Sequence, residues 1–348
     1  MSLKKLVRKF IKSWNQHQHY KNWHLKDHYS NIEGKLKKQL IDKGFYPSDS
    51  IIYDFEKHGF DAFLNQRDYK ILNHLNGVTS QLIDNKAFLP IILQSIPEFL
   101  PEFFAFVSNG NPKFTRGDNS SSNNLDKILN NALSKHKKII IKPTSDFGGN
   151  NILVVDKENI DQGIQKIKKG NYVINNYLEN EDFIKAIHPG SLNTFRVVFF
   201  KNKLGKNEIL MIAHRFGSSL SKSVDNISQG GLACSIDLET GRFSKACSYV
   251  NPSFIGWYDK HMESGAKIEG VSAPNWKKTK EDIQKIVDTL DFIEFAGLDL
   301  AFTTQGLKVI EINSKPQAQL MQVSGPALIN QDFKDFIYSK GYNPKRKA

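Results

Sequence analysis

The chain has 348 residues, too many for one compact core and enough for two or three α/β lobes with a cleft between them. Hydrophobic residues make up 39% and charged residues 24%, an ordinary globular balance that excludes wholesale disorder. The net charge of +12 raises nucleic acid as a partner, but no base-reading motif accompanies it, and none is expected to bind.

Residues 1–50 supply +7 of that charge, with ten Lys and one Arg against Asp27, Glu33, Asp42 and Asp49. Leu3, Leu6, Val7, Phe10, Ile11 and Trp14 fall on one helical stripe, with Lys4, Lys5, Arg8, Lys9 and Lys12 around it. Such a basic amphipathic helix fits first packing on its own domain with solvated lysines, and second a peripheral contact of residues 1–14 with an anionic membrane surface. No apolar core with a small-residue cleavage site follows, so it does not read as a secretory signal. The longest apolar stretch, Phe88 to Val107, is broken by Pro90, Pro97, Glu98, Pro101 and Glu102, which excludes a membrane-spanning helix. A cytoplasmic protein is expected, with membrane association through the first helix as the variant of that placement.

Residues 1–84 read as a mainly helical region without the βαβ rhythm of a nucleotide-binding start. Asn76 to Ser108 suggests helices broken by prolines, and Asn109 to Asn124, rich in Gly, Asn, Ser and Asp, a loop. The first boundary falls near Asn85, giving a central subdomain over 85–180 and a C-terminal one over 181–348. Lys138 to Lys142 and Ile152 to Val155 are β-branched runs joined by a glycine-containing loop, followed by a helix at Ile160 to Lys169 and a strand at Tyr172 to Leu178. A strand-rich half comes next, over Thr194 to Lys201, Glu208 to His214, Gly231 to Asp237 and Arg242 to Val250. The only cysteines, Cys234 and Cys247, flank a turn at Asp237 to Gly241, so a hairpin would bring them near each other as inert buried thiols. A helix at Thr279 to Ile293 precedes the last hairpin.

That hairpin, Gly297 to Pro316, carries the most chemistry. With residues 304–306 as a three-residue loop and Gly306 left-handed, Asp299 lies opposite Glu311, and Asn313 shares the face of Glu311. Two carboxylates and an amide oxygen on one sheet face would repel unless a cation sat among them, and an all-oxygen set fits Mg2+. Ser145 to Asn151 presents Gly148 and Gly149, whose amides can approach a phosphate closely. It is not a Walker loop, because no GK[ST] follows and it joins two strands. Lys142, on the strand before it, is within reach of a phosphate or a purine. His188, before Pro-Gly, reads as a hydrogen-bonded structural residue.

Taken in order, IIIKPTSDFGGNNILVV, VINNYL and GLDLA with VIEIN resemble the ATP-grasp superfamily. HPGSLNTFRVV, DNISQGG and DLETGR bring the chain closest to its sugar-transfer-associated group, over about residues 75 to 325. The resemblance implies an α/β (α+β) ATP-grasp fold, in which two lobes with antiparallel sheets clasp ATP beside the helical N-terminal region. It makes Lys86 and Lys142 the phosphate-reaching lysines, with Ser145, Gly148 and Gly149 on the phosphate loop and Asn175 and Leu178 in the purine-reading hinge. Family members usually have Glu where Asn175 stands. Glu181 or Asp182 would meet the ribose, with Asp182 taken as the nucleotide residue. Arg196 would act on the γ-phosphate or acyl phosphate, with Arg215 as a second catalytic cation. Asp299, Glu311 and Asn313 would hold Mg2+, while Asn226, Gln229, Gly230 and Gly231 resemble a closing loop.

The activity expected from this resemblance is ATP-dependent ligation of a carboxylate to an amine through an acyl phosphate, with ATP and Mg2+ as cofactors. The substrates would be small molecules or saccharides, in surface polysaccharide biosynthesis. Two alternatives keep the same nucleotide site: a kinase acting on a sugar or other hydroxyl, and a nucleotide-responsive binding protein without turnover.

Overall fold

The computed structural model describes residues 32–115, 124–145, 151–251 and 253–342, and the basic first helix of the sequence reading lies outside them. Two antiparallel sheets organise the chain. The smaller has five strands in the order β2-β1-β5-β3-β4, with β1 Phe103–Ser108, β2 Asn111–Thr115, β3 Ile139–Pro143, β4 Leu153–Val155 and β5 Asn171–Asn176. The larger has seven in the order β10-β9-β8-β7-β6-β11-β12, with β6 Phe195–Lys201, β7 Asn207–Phe216, β8 Leu232–Ile236, β9 Phe243–Ser248, β10 Gly256–Tyr258, β11 Phe295–Thr303 and β12 Gly306–Asn313.

The first hairpin corrects the sequence reading, which ran helices through Ser108 and a loop beyond it. Phe103–Ser108 is a continuous apolar run, and such a run carries no period that separates a buried strand from a helix. The signal lay in Asn109-Gly110, whose φ values of 48° and 77° put both residues in the left-handed region and close a tight turn.

Alternation along the strands decides what each sheet face meets. In the small sheet Ile139, Ile141, Leu153, Val155 and Ile174 face helices α1 (Leu125–Lys135) and α2 (Ile160–Ile167). Ile140, Lys142, Val154 and Asn175 stand on the opposite face and line a cavity between the sheets. In the large sheet Phe195, Val197, Phe199, Ile212, Leu298 and Leu300 bury against helix α3 (Trp276–Thr289) through Ile283, Ile286 and Val287. Each such side chain contributes roughly 1.5–3 kcal/mol when fully buried.

The other face of the large sheet is split along its length. Val198, Phe200 and Met211 pack with residues of the N-terminal region, among them Leu40, Phe63 and Leu72, and with helix α4 (Gln331–Ser339). Two residues earlier on β6 the same face carries Arg196, and the sheet there is polar. Cys234 and Cys247 do lie on paired strands, but Cys247 pairs with Ala233, so the two buried thiols belong to cores on opposite faces. The two are neighbours on adjacent strands as expected, but their side chains leave opposite faces of the sheet. Burial pushes the Cys247 thiol up to about 12, and burial likewise raises that of Cys234, so neither is a nucleophile at neutral pH.

The lobes are stitched together just beside the cavity. Glu181 N–H donates to Phe302 O and Thr304 N–H to Glu179 O, each at 3.0 Å, and Asn176 Nδ2 donates to Gln305 Oε1 at 3.0 Å. The segment after β5 thus hangs on the β11–β12 turn.

Candidate functional site

The β11–β12 hairpin closes through a two-residue turn, Thr304-Gln305, with Thr303 opposite Gly306, one residue tighter than the sequence reading. A bulge at Ile310 of β12, opposite the step from Asp299 to Leu300, then shifts the register, so that Asp299 does face Glu311. The bulge also changes which β12 residues point inward. Val309 and Ile312 enter the core below the sheet, whereas Ile310, Glu311 and Asn313 line the cavity. Gly306 has the expected left-handed φ, at 84°.

Asp299 is opposite Arg196 on its other side, and Arg196 is opposite Ala213, so Glu311, Asp299 and Arg196 form one row across β12, β11 and β6. Arg196 grips Asp299 with two parallel bonds, Nε to Oδ1 and Nη2 to Oδ2, both 2.7 Å, and its Nη1 reaches Pro316 O at 3.2 Å. Glycine at 297 makes room for this, since a Cβ there would lie 2.9 Å from Arg196 Cδ and 2.8 Å from Pro316 Cβ. Arg215, from β7, donates Nη2 to Asp299 Oδ2 at 2.9 Å and to Thr194 Oγ1. Asp225 accepts from Thr194 N and Oγ1, both at 2.6 Å, and lies 3.6 Å from Arg215 Nε. Burial pushes the Asp299 carboxyl up, but the two guanidinium groups outweigh it and hold it far below the usual carboxylate range.

Glu311 and Lys86 close the row at the cavity side, with Nζ 2.8 Å from Oε2, and Asn313 Nδ2 donates to Glu311 Oε1 at 3.2 Å. Lys86 begins a short turn capped by Asn85, and its own N–H donates to Thr144 O at 2.9 Å. It therefore ties the small sheet to the carboxylate row of the large one. Lys142 is buried on β3. Burial, and then the charge of Lys86, lower its pKa to about 8 against the pull of Glu311. With Lys142 taken as a phosphate-binding residue, nucleotide affinity is expected to fall as the pH rises through about 8, because its ammonium charge is lost. Titrations at pH 7 and 9 check this, and Lys142→Met should flatten the difference.

The sequence reading held that the two carboxylates need a metal ion to relieve their repulsion. Here Arg196, Arg215 and Lys86 already supply that charge. A metal still fits the donors: Glu311 and Asn313 face the cavity with oxygen lone pairs to spare, while Asp299 Oδ2 takes two bonds and Oδ1 one.

The cavity has a volume of about 290 Å³, and its walls come from both sheets. Its wall combines the apolar side chains of Ile140, Ile152, Val154, Leu178 and Ile310 with four cationic ones, Lys86, Lys142, Arg196 and Arg215. Of the residues named from sequence, Asn175 and Leu178 are also on the wall, and Asn175 Nδ2 donates to Glu102 O at 3.3 Å. Ser145 and Asp182 are exposed and are not brought to it, and Gly148 and Gly149 lie outside the described residues. Asn226 lines the cavity and caps the short helix Ile227–Gln229, with Gly230 left-handed at φ 101° and Gly231 packed under the carbonyls of Phe216 and Asp225. His188 stacks on His261 at 5.0 Å behind the wall, and its Nε2 has no partner. Sequence reasoning missed Thr194 and Asp225, which brace Arg215, and Asp84, which accepts from Ser314 N and Oγ at 2.7 Å each. The aspartate of DNISQGG stood beside residues that were named.

Among solved structures, the ATP-grasp ligase PsnB complexed with minimal precursor is 10% identical, with a TM-score of 0.44 over 77% of this chain and 63% of its own. The D-alanine–D-alanine ligase from Bacillus anthracis complexed with ATP is 12% identical, with a TM-score of 0.39 over 76% and 66%. The chain thus covers slightly less than two thirds of either. No curated protein matches by sequence. The profile of the sugar-transfer associated ATP-grasp family matches residues 66–335. That match extends over well more than half of the chain, which therefore belongs to this family.

Proposed function

We propose that the protein is an ATP-dependent ligase that joins a carboxylate to an amine through an acyl phosphate. The observation that carries the reading is one cavity whose wall combines apolar side chains from both sheets with four cations, beside a braced row of Asp299, Glu311 and Asn313. In this reading the purine would lie against Ile140, Val154, Leu178 and Ile310, and the phosphates along Lys142 and Lys86. A substrate carboxylate oxygen then attacks the γ-phosphorus, the bond to the β,γ-bridging oxygen breaks, and ADP leaves. The amine nitrogen attacks the acyl carbon, phosphate departs with the carbon–oxygen electron pair, and the amine gives its extra proton to solvent.

Arg196 and Arg215 do electrostatic work here. Their positions are fixed by Asp299, Asp225 and Thr194 before substrate arrives, so no reorganisation is needed as charge develops on the transferred phosphoryl group. Glu311 and Asn313 would hold Mg2+, with Asp299 in support through Oδ1. When bound, the ion offsets phosphate charge. Lys86, which pairs with Glu311, would then be released toward the phosphates. The family's description as sugar-transfer associated is the support for including a saccharide among the proposed substrates, and the proposed setting is surface polysaccharide assembly.

Calorimetric titration with a non-hydrolysable ATP analogue tests the site. Binding is expected to require Mg2+ and to weaken tenfold or more in Glu311→Gln, and a variant that binds like wild type would remove the assignment. Hydroxylamine then separates the chemistries. A trapped hydroxamate marks an activated carboxylate, whereas a stable phosphate ester on a sugar would mark a kinase.

A further inference from the structure

Just beyond β12, the segment Ser314 to Ala318 is held at almost every backbone position. Ser314 is bound by Asp84, Pro316 O accepts from Arg196 Nη1, Gln317 N–H donates to Tyr69 Oη at 2.9 Å, and Ala318 O accepts from Tyr53 Oη at 3.0 Å. This fixation keeps Gln317 at φ 65° and ψ 122°, a conformation in which a residue with a Cβ is strained. Glycine, lacking a Cβ, would be less strained there. Two side chains are left over, those of Lys315 and Gln317. Both are exposed, both line the cavity two and four residues after Asn313, and neither has a hydrogen bond or ion pair among the described residues.

We infer that Lys315 and Gln317 form the acceptor subsite, and that it takes a carboxylate whose other groups are neutral hydrogen-bonding ones, with no ammonium. The inference rests on the ligase reading above and names its substrate class. Lys315 supplies the positive charge for the carboxylate, and Gln317 a donor and an acceptor for neighbouring hydroxyls. The exposed hydroxyl of Ser223 lines the same cavity. The exclusion of an ammonium comes from the acids. The acidic residues on the described wall are Asp225, Asp299 and Glu311, and each already has a guanidinium or ammonium partner. An incoming ammonium would have to displace one of these cations, which is unfavourable for the buried pairs. A strained glutamine retained where glycine would relax the backbone is what a side chain with a binding task requires.

The test uses the full chain saturated with Mg2+ and a non-hydrolysable ATP analogue. D-glucuronate is titrated as probe, against its uncharged methyl ester and against the zwitterion L-alanine. Saturable glucuronate binding is expected, with both comparison compounds at least tenfold weaker. Lys315→Met should weaken glucuronate binding tenfold or more and leave the affinity for the analogue unchanged. Gln317→Gly should raise the melting temperature while weakening glucuronate threefold or more, a combination that a purely structural residue does not give. The inference is overturned if glucuronate does not bind, if the ester or alanine binds as well, or if either variant keeps wild-type affinity. Failure of the analogue itself to bind overturns the ligase reading instead, and the subsite with it.

Discussion

Replacing Asp299 by Asn is expected to cost about 3–5 kcal/mol of folding stability, the range found when one member of a buried ion pair is removed and its partner stays. Asp299 is 2% exposed and accepts three hydrogen bonds from Arg196 and Arg215, themselves 5% and 8% exposed. The cluster is balanced by two guanidinium groups against Asp299 and Asp225, and the change leaves one buried positive charge uncompensated. A loss of this size is about a fifth or more of what holds a typical domain together, of order 5–15 kcal/mol. Denaturant unfolding measures it. Removing a cation as well, in Arg196→Leu with Asp299→Asn, restores the balance and should recover part of the loss. An unfolding midpoint for Asp299→Asn equal to wild type would show that the arginines do not depend on it. Glu311 provides the contrast, because its pair with Lys86 reaches the cavity and is partly solvated. Glu311→Gln should cost no more than about 1 kcal/mol in stability while losing the nucleotide.

That contrast bears on how much of the site the sequence discloses. Glu311 and Asn313 are two apart on one strand, and a period of two puts them on one face whatever the turn does. Asp299 opposite Glu311 also emerges, although by a different route: the turn is one residue shorter than expected, and a bulge restores the register. A bulge has no local sequence signature here, since Val309, Ile310 and Glu311 read equally well without it. The bracing of Arg215 was hidden for another reason. Asp225 and Thr194 are 31 residues apart and meet only because residues 218–231 fold back over the start of β6. The small sheet shows the opposite failing. Asn109-Gly110 announced a hairpin, and the loop-like composition of the residues after it concealed the signal. Strands β6 to β9 were legible within about two residues at each end, because one face of the large sheet is almost wholly apolar, whereas the short β10 was not read.

The same apolar face contains one residue that breaks its pattern, and it leads to the second large effect. His214 points away from the site, into the ring cluster of Phe195, Phe216, Phe243 and Phe302, with centroid separations from 4.4 to 6.3 Å. It is fully buried and neither ring nitrogen has a hydrogen-bond partner. Burial, reinforced by the charge of Arg215, lowers its pKa to about 3. An unfolded histidine titrates near 6.5. Because the folded value is the lower one, the unfolded chain binds a proton that the folded chain refuses. The contribution is therefore fully favourable above about pH 6.5 and is lost as the pH falls toward 3, at about 1.4 kcal/mol per pH unit. His214→Leu removes two unpaired nitrogens without a large change in volume. It is expected to raise stability by about 1–2 kcal/mol at pH 7. The gap between variant and wild type should then widen by about 2 kcal/mol on going to pH 5. Denaturant titrations of both proteins at the two pH values measure this directly, and carboxylates and His188 cancel in the difference. Stability curves that stay parallel from pH 7 to pH 5 would mean that His214 takes up its proton in the folded state as readily as in the unfolded one.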